Sequence, residues 1–130
     1  MRLKDHPISI LDAISSCPYV ESQRLSFEER APDAAYINGE ISFINGSKLH
    51  FKEFIVCAEE KIIFLKYVYN YISQSNLLIF RYDNAVDPKA KGLSTYPAHK
   101  HLQSRIIAAG RPALKDVLRE IADSMETKRQ

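Results

Sequence analysis

From Tyr19 to Asp83 the chain alternates apolar and polar residues with a period of two, broken by short clusters of turn-forming residues. Successive side chains of a strand point to opposite faces, whereas a helix would scatter such a pattern around its axis. Gln23, Leu25 and Phe27 alternate with Arg24, Ser26 and Glu28, and Ile37, Ile41 and Phe43 hold odd positions of the next segment. Asn45-Gly46 marks a hairpin, because both residues tolerate positive φ. Beyond it Leu49, Phe51, Glu53, Ile55 and Cys57 share one face, and Lys48, His50 and Lys52 the other. Glu59-Glu60-Lys61 reads as a turn, residues 62–72 as a strand with Tyr67, Tyr69 and Tyr71 on one face, Gln74-Ser75-Asn76 as a turn, and residues 77–83 as a fifth strand. Gly39 and Gly46 read as turn or bulge positions. Connections this short imply an antiparallel meander.

The ends of the chain change period. Pro7 and Ser9 precede Ile10, Leu11 and Ile14 at helical spacing, so a short helix is expected to end before Cys17-Pro18. Residues 87–97 form a loop rich in Lys, Gly, Ser and Pro, and residues 98–107 lean towards a short strand. Pro112 is expected to open a helix whose Leu114, Val117, Leu118, Ile121, Ala122 and Met125 recur at i, i+3, i+4, i+7, i+8 and i+11. That stripe should cover the sheet, while residues 127–130 should fray. The expected fold is α+β: a meander of five to six strands with a short N-terminal helix and a C-terminal amphipathic helix packed on the sheet.

A single domain over residues 1–130 is expected, with 45% hydrophobic residues to fill a core. Cys17 and Cys57 form neither a Cys-x-x-Cys pair nor a disulfide framework, and Cys57 reads as a small buried hydrophobe. The N-terminus, Met1-Arg2-Leu3-Lys4-Asp5-His6, lacks the apolar run of a signal peptide, and no segment approaches the roughly 20 apolar residues of a membrane span. A cytoplasmic protein without a membrane partner is the expectation.

The net charge of +2 argues for no particular partner, but its distribution does. Between Pro88 and Lys115 there is no Asp or Glu, and the stretch carries Lys89, Lys91, Lys100, Arg105, Arg111 and Lys115 with His99 and His101. Such a segment suits phosphate; a solvated loop balanced by nearby carboxylates is the plainer alternative. If His99-Lys100-His101 is extended, both histidines share one face and Lys100 takes the other. They could form a general acid/base pair, sit as plain surface residues, or bind a metal with a third ligand from Asp83, Asp87 or Glu53. Arg81 and Asp83 share a strand face as an ion pair or as a phosphate clamp and histidine-orienting carboxylate. Glu53, on an apolar face, needs a partner, with Arg81 or Lys66 as candidates. The three tyrosines read as sheet packing, or as a base-stacking platform if their face is open. No Walker loop, Rossmann fingerprint or nucleophile elbow is present.

Gly-Ser-x-Leu-x-Phe-x-Glu at 46–53, the tyrosine strand, Phe80-Arg81-Tyr82-Asp83-Asn84-Ala85 and Pro97-Ala98-His99-Lys100-His101 follow one another in an order that resembles the TumE-like toxin family of prokaryotic toxin–antitoxin loci. The resemblance runs from about Tyr36 to the C-terminal helix. It implies a growth-inhibiting protein neutralised by a helix-turn-helix antitoxin encoded in the same locus. Members often carry histidines where this chain has Asp87 and Ala98, which leaves Arg81, Asp83, His99 and His101 as the matching polar positions.

The leading expectation is a toxin acting on RNA as a metal-independent endoribonuclease with no cofactor. One of His99 and His101 would take the 2′-hydroxyl proton and the other protonate the leaving oxygen. Arg81 and Lys100 would stabilise the phosphate, Asp83 would hold a histidine tautomer, and Lys89, Lys91, Lys100 and Arg105 would contact the RNA. A non-catalytic nucleic-acid or protein-binding module, and a metal-dependent nuclease or nucleotidyl-modifying enzyme, are the alternatives. A homo-oligomer is left open.

Overall fold

A computed structural model describes residues 2–30 and 32–129, so Met1 and Gln130 of the terminal readings lie outside the described residues. The order is α1 (Asp5–Ser15), β1 (Val20–Arg30), β2 (Ala34–Phe43), β3 (Lys48–Ala58), β4 (Lys61–Ile72), β5 (Leu78–Asp83), a 3₁₀ turn (Pro88–Ala90), β6 (His99–His101), β7 (Ile106–Ala108) and α2 (Leu114–Arg129). The seven strands lie in one antiparallel sheet in chain order. The expected α+β meander is therefore present with one strand more, because residues 98–107 hold two three-residue strands joined by a tight turn, closed by Leu102 N–H donating to the Arg105 carbonyl at 2.8 Å.

Helix α1 ends at Ser15, before Cys17-Pro18 as expected. Helix α1 starts before Pro7, which then sits in the first turn, where its missing N–H costs no hydrogen bond. Helix α2 starts after Pro112 and continues through Arg129, so the described part of the expected frayed end is helical. No helix of the described residues is long and apolar enough to cross a membrane.

The core lies between the helices and one face of the sheet. Ile37, Ile41, Leu49, Phe51, Ile55, Tyr67, Tyr69, Tyr71 and Phe80 meet Ile10 and Ile14 of α1 and Leu114, Val117, Leu118, Ile121 and Met125 of α2. Enclosed in this way, the tyrosine stripe packs the core and offers no platform to bases. Strand β1, paired on one edge alone, stays largely exposed, and its Phe27 is only partly buried. Cys57 is half-buried rather than enclosed, near the end of β3, and no disulfide joins it to Cys17.

The turns show which residues bend the chain. In the β2–β3 hairpin Gly46 alone takes positive φ, +83°, and Asn45 contributes its side-chain oxygen, which accepts from the Ser47 N–H at 3.1 Å. Glu59 and Glu60 both take positive φ (51° and 62°), the backbone that a tight two-residue hairpin demands of its central residues. Gly39 belongs to no turn: it sits within β2, opposite Leu25 on one side and Phe51 on the other.

A side chain at Gly39 would collide with this packing. Its Cβ would come 2.3 Å from Phe51 Cε1 and 2.9 Å from Leu25 Cδ2. Phe51 is fully buried and has nowhere to swing. Gly39→Ala should therefore lower stability by about 1–3 kcal/mol, the usual cost of overpacking. Urea unfolding followed by circular dichroism measures this, and an unchanged midpoint would contradict the packing.

Candidate functional site

Strands β5 and β6 pair so that Arg81 faces His101, Tyr82 faces Lys100 and Asp83 faces His99. Alternation then sends Arg81, Asp83, His99 and His101 to the sheet face away from the helices. Phe80, Tyr82 and Lys100 go to the helix-covered face. The four residues expected to form a site are thus brought together, and Lys100 is separated from them.

On that face three side chains converge. His99 Nε2 lies 3.0 Å from His101 Nε2 and 3.0 Å from Asp83 Oδ1, and His101 Nε2 lies 3.9 Å from Asp83 Oδ2. The surrounding bonds hold each group in place. His99 Nδ1 lies 2.7 Å from the Pro97 carbonyl oxygen, which can only accept, so Nδ1 carries a proton. Arg81 Nε donates to Asp83 Oδ2 at 2.9 Å, and the Ala85 N–H donates to Oδ1 at 3.0 Å. Asp87 Oδ2 stands 3.9 Å from His101 Nε2 at the outer side, while Asp87 Oδ1 caps the 3₁₀ turn through the Lys89 N–H at 2.9 Å. Thr95 ties the loop to the end of β7: its hydroxyl donates to the Ala98 carbonyl at 2.6 Å and accepts from the Ala109 N–H at 3.0 Å.

Access to the cluster is uneven. The His99 side chain is 1% exposed, His101 17% and Arg81 42%. His99 is therefore not a surface histidine. Burial, with Arg81 and His99 beside it, holds the His101 imidazole below its ordinary pKa against the pull of Asp83 and Asp87.

The basic residues divide. Lys89, Lys91 and Arg105 are exposed on loops flanking the cluster. Lys100 is turned to α2, where Nζ donates to Glu120 Oε2 at 2.7 Å and lies 4.7 Å from the Tyr82 ring centroid. Burial alone would lower its pKa; Glu120 and the Tyr82 hydroxyl outweigh that and raise it. The ammonium is thus paired on the helix side, which removes it from the phosphate role expected beside the histidines.

A second polar constellation lies on the helix side, in a cleft of about 790 Å³ between α1, α2 and the sheet. Glu53, 1% exposed, sits at its floor. Its partners are neither Arg81 nor Lys66. His6 Nε2 lies 2.6 Å from Oε1, and the Tyr69 hydroxyl donates to Oε2 at 2.5 Å. Arg111 donates to the Tyr69 hydroxyl at 3.2 Å, with its guanidinium 3.5 Å from the Phe64 ring centroid. Burial first, and then the Glu53 carboxylate, push the Tyr69 pKa far up, so this phenol remains a donor. In the sequence Glu53 is expected to need a partner, Tyr69 reads as sheet packing and Arg111 as part of the basic segment, but their meeting is not foreseen. Nothing local links His6, Tyr69 or Arg111 to Glu53, since they meet it only through the tertiary fold.

The model of a family described as Toxin TumE matches residues 10–125, a stretch that contains both constellations apart from His6. No curated protein and no solved structure gives a significant match.

The Glu53 network should act as a stability element. Tyr69→Phe removes one hydroxyl and leaves a buried carboxylate oxygen without its donor. A loss of about 2 kcal/mol is expected, in the range for a stranded buried acceptor. Denaturant unfolding measures it; a variant as stable as the parent would show that Glu53 does not depend on the phenol.

Proposed function

Because the chain belongs to the Toxin TumE family, and so is the toxin of a toxin–antitoxin system with an antitoxin partner, we propose that it acts on RNA as an endoribonuclease, with Arg81, Asp83, His99 and His101 at its centre. The observation that carries this reading is the convergence of two imidazoles and a carboxylate, 3.0 Å apart, beside a half-exposed guanidinium and exposed Lys89, Lys91 and Arg105. The antitoxin, a helix-turn-helix protein in this reading, would neutralise the toxin in the cell.

The reaction is attack of a ribose 2′-hydroxyl on the adjacent phosphate with departure of the 5′-oxygen. Arg81 offers its guanidinium to the phosphate oxygens, and the loop cations hold the strand through its backbone. A metal-independent acid/base pair needs two groups on opposite sides of that phosphate. His99 and His101 do not straddle anything: their Nε2 atoms are 3.0 Å apart and His99 is enclosed. The cluster therefore works as one centre, reached past His101, rather than as a separate acid and base.

Purified protein should cut mixed-sequence RNA in buffer supplemented with divalent ions, and leave DNA of the same sequence intact for want of the 2′-hydroxyl. His101→Ala and Arg81→Ala should each slow cleavage by about 100-fold or more. Lys89→Ala with Lys91→Ala should weaken binding and reduce its salt dependence. RNA retained at low salt but left whole, by wild type and His101→Ala alike, would mark a binding module instead.

A further inference from the structure

We propose that Asp83, His99 and His101 form a binding site for a divalent transition-metal ion of the zinc class, held by the two Nε2 atoms and a carboxylate oxygen of Asp83. Among the described residues this is the one group of metal-capable side chains whose ligand atoms converge, all within 4.8 Å of one another. Donors about 2.0–2.1 Å from a tetrahedral ion lie about 3.3 Å apart. The two imidazole nitrogens lie 3.0 Å apart, His99 Nε2 lies 3.0 Å from Asp83 Oδ1, and His101 Nε2 lies 3.9 Å from the other Asp83 oxygen, so a small turn of the carboxylate would bring one oxygen near that spacing from both rings.

The lone pairs point the same way. With the His99 proton fixed on Nδ1 by the Pro97 carbonyl, the neutral ring turns a bare Nε2 towards both Asp83 Oδ1 and His101 Nε2. Two acceptors, His99 Nε2 and Asp83 Oδ1, thus face each other at 3.0 Å, and they repel unless a positive particle lies between them, whichever tautomer His101 adopts. The surroundings match those of a metal centre. A metal-binding histidine donates its other ring nitrogen to a carbonyl or carboxylate, and a metal-binding carboxylate is itself hydrogen-bonded. His99 does the first through Pro97, and Asp83 does the second through Arg81 and the Ala85 N–H.

Two imidazoles and one carboxylate select zinc, cobalt or nickel over magnesium or calcium, which prefer oxygen cages. Three protein ligands leave a position open, as in catalytic rather than structural zinc sites, and Asp87 stands beside it. What the ion would do there rests on the ribonuclease reading: it would polarise a phosphate oxygen or lower the pKa of a bound water. The site itself stands without that reading. The competing occupant is a proton shared within the His99–Asp83–His101 contacts.

Titration calorimetry with Zn²⁺ on chelator-stripped, dialysed protein, with Co²⁺ absorption as a second probe, separates the two occupants. One ion per chain is expected, with cobalt bands of a four-coordinate N/O site. Asp83→Asn and His101→Ala, checked for native circular dichroism, should weaken binding at least about 100-fold, and His50→Ala should leave it unchanged. Since His101 is more exposed than His99, it is the safer variant for folding. Failure of the parent to bind either ion, or parent-like binding by both site variants, overturns the metal site. Tight binding by a protein that leaves RNA whole upholds the site and removes the ribonuclease reading. RNA cleavage that persists in the stripped protein, with no ion detected by mass spectrometry, upholds the ribonuclease reading and overturns a catalytic role for the ion, while the calorimetry alone decides whether the site exists.

Discussion

The pairing of β5 with β6 fixes the geometry of the candidate site. Asp83 opposite His99 and Arg81 opposite His101 put four polar side chains on one face of the sheet, and the same register places Tyr82 and Lys100 on the other. A one-residue slip would invert this arrangement, since side chains alternate at every step. Two histidines would then be driven against α2, and Lys100 would leave Glu120 for the outer face. The strands involved are short, six and three residues, so the ladder has help. Pro97, Thr95 and Ala85 each contribute a backbone or hydroxyl contact that fastens the loop or the cluster at this register.

The stability network and the candidate site lie on opposite faces of the sheet. The helix side carries the aromatic core and a buried carboxylate whose partners, His6 and Tyr69, come from α1 and β4. That network joins the first helix to the middle of the sheet, and Arg111 extends it towards the start of α2. It lines a cleft, but both Glu53 oxygens are already engaged. The outer side carries the Asp83 cluster, where the acceptors lie too close together for an acid and a base acting on opposite sides of a substrate. Glu53 is held by His6 and Tyr69 on the helix side, whereas on the outer face His99 Nε2 and Asp83 Oδ1 meet at 3.0 Å with His101 beside them.

Much of this was legible in the residues. Period-two alternation broken by Asn45-Gly46, Glu59-Glu60 and Ser75-Asn76 foretold the meander, because strands β2, β3 and β4 each bury one face. Extended geometry at His99-Lys100-His101 foretold which side chains would share a face. Distance along the chain hid the rest. Glu53 finds His6 forty-seven residues away, where no local pattern points to it. The fate of Lys100 depends on Glu120, twenty residues on, and on how α2 lies across the sheet. Three-residue strands such as β6 and β7 are too brief for periodicity to separate, so residues 98–107 read as one segment rather than two. Mutual orientation was the deepest gap: spacing sets a common face, but not that two rings meet at 3.0 Å with one of them enclosed.

The central claim is that toxicity resides in the Asp83–His99–His101 cluster. Tightly controlled induction of this chain without its antitoxin, beside a His99→Ala/His101→Ala double variant shown to fold and to accumulate equally, tests it most directly. Growth should stop with the parent chain and continue with the double variant. Equal arrest by both would contradict the claim and move the toxic surface elsewhere on the molecule.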